Sequence, residues 1–265
     1  MNAASLFDQQ AIGEFWLRYL HILAGITWIG LLYYFNLVQV PGLAAYGDEG
    51  KARNITITQI ATRALWWFRW AAIATLATGI LITAVLPNYM QNFMNNEELI
   101  NDVLVNDLPQ NAKNAAISFG MILGITMAAN VWMIIWKNQK VVIANATNVL
   151  NGGEANPDAA TAGRRAMLAS RQNMIFSVSM LFYMVGAAHF YPTDAFAATP
   201  GEANIFLIIS LVLGALLQLN ALGKFGGIKA GNKSLVIYES HKNAIITGVV
   251  LWAVSFILSV VIMGA

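Results

Sequence analysis

The chain has 265 residues, 58% of them hydrophobic and only 11% charged, with a formal net charge of +2. Soluble domains carry about a quarter charged residues, so this composition excludes a soluble core and suits helices solvated by lipid. The small net charge points to no nucleic-acid partner, and the lack of cysteine excludes disulfides, iron–sulfur clusters, thiolate metal sites and c-type haem attached through C-x-x-C-H.

A membrane-spanning helix needs roughly 20 mostly apolar residues. The first such segment runs from Phe15 to Val38. Asp8 and Glu14 precede it without any Lys or Arg, unlike a cleaved signal peptide, so it is expected to be a retained helix. Further segments run from Ala64 to Leu86, Ala115 to Trp136, Met174 to Tyr191, Ile205 to Leu222 and Ala244 to Met263. The expected fold class is therefore all-α: a polytopic membrane bundle of about six transmembrane helices. It forms a single integral membrane domain over residues 1–265, without an internal repeat.

The connecting loops alternate in charge. Lys51, Arg53 and Arg63 lie between the first two helices. Lys137, Lys140, Arg164, Arg165 and Arg171 follow the third, and Lys224, Lys229, Lys233 and Lys242 follow the fifth. The intervening loops carry Glu97, Glu98, Asp102, Asp107, Asp194 and Glu202 against a single Lys113. Basic residues accumulate on the cytoplasmic side, which places both termini outside. Two long connectors, from Asn88 to Asn114 and from Asn138 to Gln172, have amphipathic spacing and are expected to contribute extra interfacial helices. The second breaks at NGGEANPD.

Ionisable groups inside a bilayer are costly and face a partner, a cavity or a cofactor. Arg18, His21, Arg69 and His189 fall within the apolar segments, and no carboxylate lies deep in any of them. That argues against a proton pump or a cation-coupled transporter. His21 lies in RYLHILAGITWIG, about 9 Å below the outer helix end, with Ala24, Gly25 and Trp28 on the same face. His189 closes the run MVGAAHFYP in the same leaflet, with Gly186 one turn before it. Two imidazoles so placed could ligate a haem b iron from opposite sides, with Arg18 on a propionate. The bland alternative is that each ring hydrogen-bonds a neighbouring helix. His241 lies at the other side of the bilayer, as a weak candidate for a second metal or substrate contact or as a plain headgroup-zone histidine.

Arg69 is embedded in ALWWFRWAA, roughly 8 Å from the inner end. It reads as a snorkelling arginine held by aromatic rings, or as an anion site to which Asn130 and Asn173 add amide donors. An aromatic belt explains most of the tryptophans.

Several segments in chain order resemble the membrane domain of the bacterial urate hydroxylases, the membrane-bound urate oxidases. They are RYLHILAGITWIGLLYYFNLVQVP, ATRALWWFRWAAIATLATGIL, AANVWMIIWKNQK, RRAMLASRQNMIFSVSMLFYMVGAAHF and HKNAIITGVVLW, and together they cover nearly the whole chain. A looser likeness around His21 extends to HemJ-like and CopD-like proteins. The family resemblance implies a redox protein of purine catabolism in the bacterial inner membrane. It implies functional histidines at positions 21, 189 and 241, with Arg69, Asn130 and Asn173 in matching motifs. Family members typically carry a cytochrome c domain after the last helix. The sequence ends there at MGA, so the expected electron acceptor is a separate cytochrome c, another redox subunit or quinone. Lys137 stands where the family pattern has proline.

Two rival readings remain at this level. One is a non-catalytic membrane subunit that anchors a larger redox complex. The other is a transporter for copper or a small anion.

Overall fold

The computed structural model describes residues 8, 11–85, 97–100, 103–106 and 108–265. Six long helices form the bundle: α1 (Leu17–Ala45), α2 (Gly50–Val85), α3 (Leu108–Leu150), α4 (Ala159–His189), α5 (Pro200–Ala221) and, after a short turn α6 (Val236–Glu239), α7 (His241–Met263). Five of these, all but α4, are long and apolar enough to cross a membrane. The chain is a multi-pass, all-α bundle apart from one antiparallel hairpin, β1 (Glu97–Ile100) and β2 (Val103–Asn106).

The hairpin corrects one expectation. Within the connector from Asn88 to Asn114, the described residues before Leu108 pair as strands, not as an interfacial helix. The rest of that stretch, up to residue 96, lies outside the described residues. The second connector also differs from expectation. KVVIANATNVL continues α3 and AATAGRRAMLASRQN opens α4, so neither lies on the membrane as a separate element. At about 1.5 Å per residue, the 43 residues of α3 span about 65 Å, far more than the hydrocarbon core of roughly 30 Å. The surplus packs against the start of α4 as an antiparallel helical hairpin, with Val142 against Gly163. Its turn is closed by Asn145, which accepts from the Asn156 N–H (2.6 Å), and by Asn148, which donates to the Glu154 carbonyl (2.7 Å).

Helix α4 has a reason to be less apolar than the others. It is the axis of the bundle, packed against α1, α3, α5 and α7, and 16 of its 31 residues are buried. A helix surrounded by helices does not have to dissolve in lipid, so it can carry Arg171, Gln172, Asn173, Ser177 and Ser179 inside. Helix starts elsewhere follow capping rules. Thr199 and Glu202 form a reciprocal capping box before α5, with Pro200 in the first turn. The Ser240 side chain accepts from the Asn243 N–H (3.0 Å) to start α7.

Both ends of the bundle are defined by contacts. At one end Arg164 reaches Glu239 and the Ile228 carbonyl, and Gly50–Thr56 packs on Trp136–Leu150, so the three basic loops meet there. At the other end Ala198 donates to the Leu108 carbonyl, and Ala265 to that of Ala195. Among the described residues a π-helical turn at Ile12–Trp16 leads into α1, and others lie within α1 at Tyr34–Gln39, α2 at Ile57–Ala61 and α3 at Asn130–Ile135.

Close helix approach rests on glycine at α7. A Cβ at Gly248 would lie 3.0 Å from the Ile175 carbonyl oxygen and 3.3 Å from its Cα. Gly248→Leu is expected to destabilise the bundle by about 1–3 kcal/mol, the usual cost of overpacking, read as a lower thermal midpoint in detergent. Gly42→Ala, where nothing lies within 4 Å, should leave the midpoint unchanged or slightly raised.

Candidate functional site

His21 sits on the face of α1 that meets α2. Its Nδ1 lies 2.9 Å from the Thr75 carbonyl oxygen and 3.1 Å from the Thr78 hydroxyl. A carbonyl only accepts, so Nδ1 carries the proton. The Thr78 hydroxyl spends its own proton on the carbonyl of Ala74 (2.7 Å) or Thr75 (3.0 Å), leaving its lone pairs for the imidazole. Gly79 makes room for the ring, since a Cβ there would stand 3.2 Å from Cε1. Nε2 therefore keeps its lone pair, with no hydrogen-bond partner among the described residues. This is the tautomer in which a histidine ligates metal.

His189 ends α4 as an exposed residue. Its height can be fixed from Tyr33 on α1, whose hydroxyl meets Ser177 on α4 at 2.8 Å. His21 lies twelve residues before Tyr33, and His189 twelve residues after Ser177. Both therefore stand about 18 Å from that contact, toward the bundle end that holds Ala198 and Ala265, at 1.5 Å per residue. Arg18 is exposed one turn further out on α1. His241 opens α7 at the opposite, basic end, apart from the other two. Among the described residues no group of three His, Asp or Glu side chains converges to hold a metal ion.

The amide candidates come together, but toward each other. Asn130 donates to Asn173 (2.8 Å) and to Gln218 (3.0 Å), and Gln218 returns a bond to Asn130 (2.7 Å). Asn173 in turn donates to the Met127 carbonyl (2.9 Å). The result is a buried clamp across α3, α4 and α5, built at the start of the π turn of α3. Arg69 is not part of it. Its guanidinium lies over the Trp136 ring at 3.8 Å, and its carbonyl accepts from Trp132 Nε1 (3.1 Å).

A family model described as urate oxidase N-terminal matches residues 100–254. The chain belongs to this family. The matched stretch takes in α3 to α6 and most of α7, with Asn130, Asn173, His189 and His241; His21 and Arg69 precede it. No curated protein and no solved structure matches the chain at a significant level.

Some contributors were missed in the sequence of this urate oxidase N-terminal member. Gln218 was one of two amides, with Asn220, in the apolar run IFLIISLVLGALLQLNALG, and a polar amide within an apolar run was its signal. Thr75 and Thr78 read as ordinary small residues, although they face His21. At the basic end Arg171 donates to the Tyr238 carbonyl, and the Tyr238 hydroxyl donates to Gln172 (2.6 Å) or the Leu217 carbonyl (2.8 Å). Arg164 grips Glu239 with both terminal nitrogens, at 3.0 and 2.5 Å. That hydrogen-bonded guanidinium holds the Glu239 carboxyl below its ordinary range.

Two outcomes follow. Asn130→Leu should cost about 1–3 kcal/mol, because the Gln218 and Asn173 groups are left buried and unpaired. In a double-mutant cycle with Gln218→Leu the two losses should not add. The Glu239 contribution is present above the ordinary carboxylate pKa and is lost as pH falls through the lowered value. Between neutral and acid pH the thermal midpoint of Glu239→Gln should therefore drop less than that of the wild type.

Proposed function

We propose that this chain is a membrane-bound oxidoreductase of the bacterial inner membrane that hydroxylates urate or a related purine and holds a b-type haem through His21. One observation carries the reading: the Thr75 carbonyl fixes the imidazole as the Nδ1–H tautomer and leaves Nε2 ready to ligate. With three histidines in the chain and no convergent acidic cluster among the described residues, a macrocycle would supply the ligands that His21 alone does not.

His189, at the same height on α4, would be the second histidine to hold the group. Arg18, one turn outward, would meet a propionate. When bound, a haem supplies one-electron redox chemistry. The protein's own part is to fix the ring of His21 and keep its tautomer, while Gly79 prevents crowding from α2. Hydroxylating a purine carbon consumes one water and releases two electrons and two protons. These pass to a cytochrome c, another redox subunit or a quinone. Membership in the urate oxidase N-terminal family supports the purine as substrate. The basic loops support a cytoplasmic face at the His241 end.

Absorption spectroscopy of the purified protein tests the reading. The wild type should show a Soret band that is lost in His21→Ala while helical circular dichroism is retained. His189→Ala should keep the band but alter its position. Gly79→Leu should weaken it by displacing the ring. Wild-type protein that carries neither a Soret band nor iron would overturn the proposal.

A further inference from the structure

The α2–α3 seam at Arg69 has chemistry that the His21 site does not use. The Arg69 Nε is buried and has no hydrogen-bond partner among the described residues. One face of its guanidinium is covered by Trp136 of α3 at 3.8 Å. Trp132 packs beside it, with its indole N–H already spent on the Arg69 carbonyl, and Trp70 meets the Trp132 ring edge-on at 5.6 Å. The amides of Asn130, Asn173 and Gln218 are engaged with one another and are not the acceptors of Arg69. The outer side faces the flank of the bundle. Trp66 and Trp70 are each 46% exposed there and Met133 is 72% exposed.

An unsatisfied buried N–H is costly and calls for an acceptor. Aromatic walls on two helices favour a flat ring, which can stack or meet them edge-on. The flank of a membrane bundle is covered by hydrocarbon, so a ligand that arrives there must dissolve in lipid. Flat ring, carbonyl acceptor and apolar tail describe one class of molecule.

We propose that Arg69, Trp136, Trp132 and Trp70 bind the headgroup of a lipid-soluble quinone, with a quinone carbonyl accepting from Arg69, and that this quinone is the electron acceptor. The assignment rests on the redox reading above and names its acceptor. The reaction closes without another reagent: urate, water and quinone give a ring-hydroxylated purine and quinol, with the new C–O bond made from water and the hydrogens taken from water and a ring N–H, since urate has no C–H. Two electrons and two protons leave the purine and water, and two of each arrive on the quinone. Arg69 lies six residues before Thr75, about 9 Å along α2 from the residue that holds His21.

The test is a titration of detergent-purified protein with a decyl-tailed benzoquinone, read by tryptophan quenching. A photoreactive azido analogue, cross-linked and mapped by mass spectrometry, then locates the site. Expected is saturable binding with cross-links on α2 and α3. Affinity should fall tenfold or more in Arg69→Gln and in Trp136→Leu, and far less in Arg69→Lys and Trp136→Phe, which report that the seam still folds. Linear, non-saturating quenching, or equal affinity in all variants, would overturn the site. So would Arg69-dependent binding of urate with none of the quinone, which would make Arg69 a substrate-anion contact. His21→Ala separates the two readings. It should lose the haem band and keep quinone binding, so a missing Soret band in the wild type sinks the haem and not the quinone site. Quinone binding absent from a haem-loaded wild type does the reverse.

Discussion

Polar groups in hydrocarbon have no water to turn to, and in this bundle helix α4 concentrates that problem on one axis. Arg171, Gln172, Asn173 and Ser177 are all buried along it. Each finds a partner on a different element: the Tyr238 carbonyl, the Tyr238 hydroxyl, the Met127 carbonyl with Asn130, and the hydroxyl of Tyr33. Asn36 adds a bond from α1 to Ser170 (2.9 Å). The bonds that these α4 side chains make are therefore also bonds that assemble the other helices around it, although Arg171 Nε, Gln172 Nε2 and Ser179 Oγ stay unpaired among the described residues. Removing one partner strands a group where solvation is poorest, so the arrangement is strongly coupled.

The chemistry stands apart from that axis. His21 and Arg69 both depend on α2, whose apolar window is only 17% buried. Helix α2 supplies a carbonyl, a hydroxyl and a glycine to the imidazole, and stacks its arginine on α3. The proposed sites on the flank and the polar scaffold at the centre rest on different contacts. The two amides that sequence reasoning offered to a substrate, Asn130 and Asn173, hydrogen-bond each other, and Asn130 also pairs with Gln218.

Much of the architecture was legible in the sequence. Apolar runs near twenty residues long marked every helix, because hydrocarbon tolerates no other composition over that length. Other features left no local trace. The central position of α4 depends on which helices surround it, and its apolar half, from Met174 to Tyr191, looks like any other span. The π turns and the continuation of α3 to Leu150 follow from backbone packing, not from residue type. Thr75 holds His21 through its carbonyl, a group that every residue possesses, so no side-chain pattern could announce it. Gln218 was visible and unexplained until Asn130 stood opposite.

The hairpin formed by the end of α3 and the start of α4 has a practical side. It continues two bundle helices without a break and closes in the exposed turn from Asn151 to Asp158. Orientation imposed at that turn is transmitted directly to the membrane part. A 28.8 kDa protein embedded in a micelle offers little for image alignment. A rigid fusion partner or an antibody fragment grafted onto this turn would act as a stiff handle, giving the particle a visible direction without disturbing any residue near His21 or Arg69.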